Sequence, residues 1–180
     1  ELGYEITVPA MRQRALWGAI CEAGRASGMR QIGLRAQDSL RFEKGYGIWS
    51  REYAQSYTPA MSGLDRFVAY DKAAFIGRDA ALRERESGPA RRLVLLAIDA
   101  TDADANGFEP VWSGGRRAGF VTSGGYGHSV RMSLALAYVD RQVLEDGAPL
   151  SVHVVGEERP ARVLPVPPYD PQGLRLRAVA

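Results

Sequence analysis

The sequence predicts an α+β protein in which a helix-containing first part is followed by an all-β module. Apolar residues in the first part recur largely at helical spacing, whereas short β-rich runs separated by turn residues follow from Arg92 onward. Four dipeptides mark these turns: Asn106-Gly107, Gly114-Gly115, Gly124-Gly125 and Asp146-Gly147. Residues 112–119 predict a hairpin with residues 113–115 at its tip. This punctuation fits a small barrel or sandwich, so we expect two regions, residues 1–87 and 88–180.

Composition excludes several classes of function. The 180 residues are 46% apolar, which is enough to build a core, and no apolar run approaches the roughly 18 residues of a membrane helix. Basic residues exceed acidic residues by only 23 to 21, so the net charge of +2 predicts no affinity for nucleic acid or a membrane. A single cysteine excludes an intrachain disulfide, and two distant histidines argue against a zinc site. We expect a cytoplasmic protein that binds no metal.

The first 24 residues predict a strand followed by a helix. Tyr4, Ile6 and Val8 alternate with polar residues, which is typical of a half-buried strand, and Pro9 ends the pattern. The next stretch, MRQRALWGAICEAG, has its apolar residues on one helical face and closes at Gly24. Because the chain has no initiator methionine and opens inside a strand pattern, we expect it to be a piece of a longer chain.

Residues 34–45, LRAQDSLRFEKG, predict a short charged helix. Asp38 and Ser39 have side chains that can cap its start, and the final glycine can end it. Further along, the run FVAY at residues 67–70 suggests a strand. The stretch GRDAALRERE then predicts a surface helix that begins near Asp79.

Residues 121–130, VTSGGYGHSV, contain hydroxyl groups and a histidine between two apolar runs, as a catalytic loop does. A serine hydrolase needs its nucleophile on a tight G-x-S-x-G elbow, together with a histidine and an acid, and this segment has no such elbow. We therefore interpret Thr122–Gly124 as a structural turn. His128 is expected at the surface, and His153 is expected on a strand, where it alternates with valines.

Several long motifs occur in the order in which one protein family has them. They are LGYEITVP, LRAQDSLRFEKGYGIW, TPAMSGLDRFVAYDKAAFIG and AGFVTSGGYGHSVRMSLALAYV, within a span from the first residue to about Pro167. On these motifs the chain resembles the aminomethyltransferase (glycine cleavage T-protein) family. Its second half looks most like the folate-binding C-terminal region of dimethylglycine and sarcosine dehydrogenases, which also have a separate N-terminal flavin domain.

The resemblance implies a fragment of the three-domain, cloverleaf T-protein fold. Residues 1–87 would then be part of an α/β folate-binding domain, and residues 88–180 would be the C-terminal β-barrel. The implied function is transfer of a one-carbon unit from a methylamine, such as dimethylglycine or sarcosine, to tetrahydrofolate. The alternative is a non-catalytic folate-binding or scaffold module with the same fold.

The resemblance also defines the expected partners. The acidic catalytic residue of the family comes from an N-terminal portion, so we expect catalysis to need this missing part of the same chain and the fragment alone to be inactive. The expected ligands are folate and a small methylamine donor. FAD is expected only if a flavin domain lies upstream of residue 1.

Five residues are expected at the folate site because of the resemblance. Glu5 matches the glutamate that holds the pterin ring, with Tyr4 as its neighbour in the motif, and a carboxylate can accept both N–H groups of an aminopyrimidine edge. Gln37 stands where T-proteins commonly have an arginine, and it offers no charge to a glutamate tail. Phe67 and Arg92 lie near the positions of an aromatic residue and an arginine at the folate. On the residues alone, the favoured interpretation is that Glu5 faces water from a strand edge.

Arg41, Glu43 and Lys44 also recur in the family. Alternating charges on a helical turn are typical of a solvated or salt-bridged surface. We therefore expect a structural role for them, with Glu43 available to orient a contact between domains.

Overall fold

A computed structural model describes residues 3–177. The helices are α1 (Gln13–Gly24), α2 (Leu34–Glu43), α3 (Arg78–Ser87), α4 (Arg141–Glu145) and α5 (Leu174–Arg177). The strands are β1 (Arg91–Ile98), β2 (Pro110–Ser113), β3 (Arg116–Gly127), β4 (Met132–Asp140), β5 (Leu150–Val154) and β6 (Glu157–Leu164). The predicted α+β class is confirmed, because α1 to α3 precede the strands of the described chain.

The six strands form a closed antiparallel barrel in the order β1-β4-β3-β2-β5-β6, and β6 pairs with β1 to close it. The predicted hairpin is confirmed, with β2 and β3 joined through Gly114 and Gly115. Both glycines have positive φ, 55° and 75°, as a type I′ turn requires. Closure leaves no free sheet edge in the barrel.

The barrel buries apolar side chains on both faces of its wall. Leu96, Val111 and Val152 are fully buried in the interior. Side chains on the opposite face of the wall, including Leu134 and Leu136, form a second apolar cluster with Phe42 of α2. Alternation along the strands supplies both faces, and the second one fixes α2 against the barrel.

Two predicted strands are wrong. Residues 3–9 form no strand, because no other segment of residues 3–177 pairs with their backbone. The FVAY run also fails, since residues 65–67 form a single 3₁₀ turn and Phe67 is 72% exposed. Alternation is a local pattern, whereas a ladder also needs a partner strand and a buried face.

The predictions for the helices are mostly confirmed. Helix α1 ends at Gly24, and α3 begins at Arg78, one residue from the predicted start. Helix α2 begins at Leu34, so the proposed caps Asp38 and Ser39 lie inside it instead. Within residues 3–177, no helix has the length and apolar character needed to cross a membrane.

Candidate functional site

The predicted turn at Thr122–Gly124 is wrong, because all three residues belong to strand β3. Thr122 is the extra residue of a bulge: Val121 pairs with Ala137 and Ser123 pairs with Leu136, so Thr122 has no partner position on β4. The turn lies later, at residues 128–131, where His128 is exposed as predicted. His153 is also confirmed on strand β5, half-buried between buried neighbours.

The five residues expected at the folate site lie on exposed surfaces. Tyr4 is 81% exposed, Phe67 is 72% exposed, and Glu5 and Gln37 are also exposed. Arg92 is half exposed, with its guanidinium 4.0 Å from a carboxylate oxygen of Glu145. No hydrogen bond or ion pair between residues of the 3–177 range joins any two of the five, so their convergence in one site stays a prediction.

Two of the five line different hollows. Tyr4 borders a groove of about 580 Å³ between residues 3–9 and α1, and its lining includes Trp17 and Ile20. Arg92 borders a cavity of about 410 Å³ beside α3, together with Tyr70. The groove is largely apolar and suits a flat or apolar group, whereas the cavity contains several charged side chains.

A buried polar cluster that no sequence pattern predicted joins the helical region to the barrel. Its centre is Glu52, whose side chain is 0% exposed. One carboxylate oxygen accepts the hydroxyl of Ser123 at 2.5 Å, and the other accepts the backbone N–H of Ile48 at 2.9 Å. The guanidinium of Arg41 lies 3.6 Å away, so the buried charge has a counter-charge and two hydrogen bonds.

Tyr138 extends this cluster along β4. Its hydroxyl donates to the backbone carbonyl of Glu52 at 2.7 Å and lies 2.8 Å from the hydroxyl of Ser62, while its ring stacks on Tyr57 at 4.0 Å. Burial in this setting raises the pKa of Tyr138 from 10.0 to about 12, because the phenolate would lose its water. Tyr138 therefore stays neutral, and its hydroxyl connects β4 to Glu52 and Ser62 by hydrogen bonds.

The expected surface position of Arg41 and Glu43 is wrong. Arg41 is 9% exposed and pairs with Asp38 at 2.8 Å, so only the salt-bridged part of that expectation is confirmed. Glu43 is 1% exposed and accepts the N–H of Ser129 in the β3–β4 turn at 2.6 Å. Helix α2 makes these contacts because its apolar Phe42 packs on the barrel wall and carries its neighbours inward.

The chemistry available in the buried cluster is structural rather than catalytic. Glu52 and Tyr138 have their oxygen atoms occupied by internal hydrogen bonds and are closed to solvent. Among residues 3–177, no three His, Cys, Asp or Glu side chains gather at metal-binding distance.

Two family models match the chain in succession. Residues 1–72 match the GCVT N-terminal domain, and residues 91–170 match the glycine cleavage T-protein C-terminal barrel domain. The second match coincides with the closed barrel. The chain belongs to the glycine cleavage T-protein family.

Named relatives agree with this assignment. The chain is 37% identical over 168 residues to human mitochondrial dimethylglycine dehydrogenase, and the match covers 93% of this chain and 19% of that protein. It is 35% identical over 152 residues to an aminomethyltransferase of Caldanaerobacter subterraneus, covering 84% of this chain and 40% of the relative. The structure of aminomethyltransferase T from Bartonella henselae superposes with a TM-score of 0.77 at 28% identity, over 91% of this chain and 45% of that one. The chain thus spans less than half of each of these relatives.

Proposed function

We propose that this chain is part of a folate-dependent protein that moves a one-carbon unit from a methylamine, such as a glycine derivative, to tetrahydrofolate. The observation that supports this most directly is the succession of the two T-protein matches, over residues 1–72 and 91–170. Relatives named as aminomethyltransferases over most of the chain support it further. Within it, residues 1–87 would belong to the folate-binding region and residues 88–180 to the barrel.

Glu5 is the proposed anchor for the pterin ring. Its carboxylate is exposed and forms no hydrogen bond or ion pair within residues 3–177, so its oxygens are free to accept the N–H groups of an aminopyrimidine. Tyr4, next in the chain, borders the apolar groove against α1. Glu5 is not among the residues that line this groove, so the proposed anchor and the apolar surface are separate features of the same segment.

The other three residues would act at the far end of the ligand. Gln37 on α2 supplies hydrogen bonds without charge, Arg92 supplies a cation whose neighbour Glu145 partly neutralises it, and exposed Phe67 supplies an apolar surface. Such a set would bind a glutamate tail more weakly than two arginines would.

The acidic catalytic residue is proposed to come from a part of the protein outside residues 1–180. FAD would be used only if a flavin domain lies upstream, as the match to a dimethylglycine dehydrogenase suggests. We keep the cytoplasm as the proposed location, although the human relative is named as mitochondrial.

The test is calorimetric titration of tetrahydrofolate into the full-length protein and, separately, into this chain. We expect binding by the full-length protein; in a separate activity assay with a methylamine donor, this chain alone should show no turnover. In the full-length protein Glu5→Ala should weaken binding by about 1–3 kcal/mol, because a charged hydrogen-bond partner is lost. Glu86→Ala, at an exposed position on α3, is the matched control and should leave the affinity unchanged. Equal affinity for Glu5→Ala and the control would remove Glu5 from the site.

The second candidate is a non-catalytic folate-binding or scaffold module. Two observations favour it: Gln37 has no charge, and the five expected residues are not joined within residues 3–177. If neither protein binds tetrahydrofolate, the scaffold form of this candidate replaces the first.

A further inference from the structure

A cavity of about 660 Å³ opens at one end of the barrel. Its walls come from the end of β1 with residues 99–101 that follow, from the β3–β4 turn and the start of β4, and from β6. None of the five residues expected at the folate site lines it. Its size lies within the range of small-molecule pockets in proteins, about 300–1,000 Å³.

Ser133 lines this cavity with a buried hydroxyl group that lacks a partner. The residue is 3% exposed, and its Oγ atom forms no hydrogen bond with residues of the described chain. It is paired with Ile98 on one side and with Tyr126 on the other, and both also line the cavity. Buried hydroxyls in proteins nearly always have a hydrogen-bond partner, so this one fits a ligand atom that completes it.

Two guanidinium groups border the same cavity. Arg131 and Arg162 are exposed, and neither forms an ion pair or a side-chain hydrogen bond within residues 3–177. Four other arginines of the barrel region differ: Arg91, Arg92, Arg141 and Arg159 each lie within 4.0 Å of a carboxylate oxygen. The two unpaired cations are therefore available to an anion.

The position of Arg131 is also unusual for its residue type. Its φ is 55°, in the left-handed region that residues other than glycine and asparagine seldom adopt.

The charge of the cavity lining also favours an anion. Asp99 is the one carboxylate among the residues that line the cavity, so the lining retains an excess of one positive charge. Arginine pairs with planar oxyanions through two parallel hydrogen bonds, which favours carboxylate or phosphate over other anions.

We propose that the cavity at the end of the barrel binds a small oxyanion, a carboxylate or a phosphate, whose oxygens pair with Arg131 and Arg162 and accept the hydroxyl of Ser133. The site uses only residues of the barrel. It neither requires nor excludes folate binding at the N-terminal region.

The experiment titrates this chain with sodium succinate, with inorganic phosphate and with choline chloride at constant ionic strength. Binding is followed by two-dimensional NMR of the backbone amides near the cavity. Saturable shifts with succinate, phosphate or both support the proposal, and the preferred probe identifies the oxyanion class. Saturable binding of choline, or no saturation with either anion, overturns it.

Four variants test the named residues. Arg131→Gly relieves the positive φ while it removes the charge, and Arg162→Gln removes the other charge; each should weaken binding by about 10-fold, as loss of a charge-assisted hydrogen bond does. Ser133→Ala should weaken binding several-fold without lowering the melting temperature of the free chain, because the lost hydroxyl has no partner there. Arg116→Gln, an exposed arginine at the β2–β3 hairpin outside the cavity, is the control. If the control weakens binding as much as Arg131→Gly and Arg162→Gln do, the attraction is nonspecific and the proposal is wrong.

Discussion

Replacing Glu52 by alanine is the most direct test of how the helical region is joined to the barrel. Two donors lose their acceptor in this variant: the hydroxyl of Ser123, which is 0% exposed, and the N–H of Ile48. A buried donor left without a partner costs about 1–3 kcal/mol, so two of them give about 2–6 kcal/mol. Arg41 adds less, because it lies at 3.6 Å and keeps Asp38.

This loss is large against the total stability of a small domain, about 5–15 kcal/mol. Urea denaturation, followed by circular dichroism, measures it. With a slope of about 2 kcal/mol per molar urea, the midpoint of Glu52→Ala should fall by about 1–3 M. The isosteric Glu52→Gln keeps an acceptor for Ile48 and an amide that can bond to Ser123, so it should cost less than about 2 kcal/mol.

The matched control is Glu86→Ala, an exposed acidic residue on α3, which should change stability by less than about 0.5 kcal/mol. A midpoint for Glu52→Ala that coincides with this control would refute the reasoning. In that case the buried carboxylate contributes nothing to folding beyond what water would supply to the same groups.

Three further predictions concern the barrel and α2. Gly119→Ala should destabilise the barrel by several kcal/mol, because the added Cβ would clash with the carbonyl oxygen of Tyr138. Gly18→Ala in α1 is the control: its Cβ would meet open space, so urea denaturation should show unchanged or higher stability. Burial raises the pKa of Tyr138 in the folded protein to about 12, so the stability that its neutral form contributes is present below pH 10 and is lost as the pH rises from 10 through 12. Urea midpoints measured across that range should therefore fall with pH, and Tyr138→Phe should reduce this fall. If the glutamate tail of tetrahydrofolate lies near Gln37, Gln37→Arg in the full-length protein should raise the affinity measured by calorimetry about 10-fold. Gln55→Arg, at another exposed position, should leave the affinity unchanged; equal effects of the two variants would mean that the added positive charge acts nonspecifically.

Local patterns predicted those parts of the fold that local physics controls. The hairpin at residues 112–119 follows from Gly114-Gly115, because a type I′ turn needs positive φ at both positions. Helix α1 follows from apolar spacing and from the glycine that closes it, and helix α3 follows from the charged stretch that begins near Asp79. The family was also identifiable, because its motifs are contiguous stretches of sequence.

The predictions that failed depended on distant residues. Residues 3–9 have a strand pattern, but a strand also needs a neighbouring backbone, and none pairs with it among residues 3–177. Asp38 and Ser39 are suitable caps by residue type, yet the helix begins at Leu34 and both lie inside it. The hydroxyl of Ser39 instead donates to the carbonyl of Tyr126, 87 positions away.

The buried cluster shows the same division most clearly. From residue order alone, Glu52 is one acidic residue among many in an aromatic stretch, and Ser123 belongs to a glycine-rich run that resembles a turn. Their contact spans 71 positions and exists only because the barrel closes and α2 packs on its wall. Periodicity and turn chemistry therefore predicted the α+β class and an all-β second part, a small barrel or sandwich. The resemblance of contiguous motifs implied the family and, with it, the barrel. Tertiary structure decided which charges are buried, because desolvation depends on what the whole chain brings to one place.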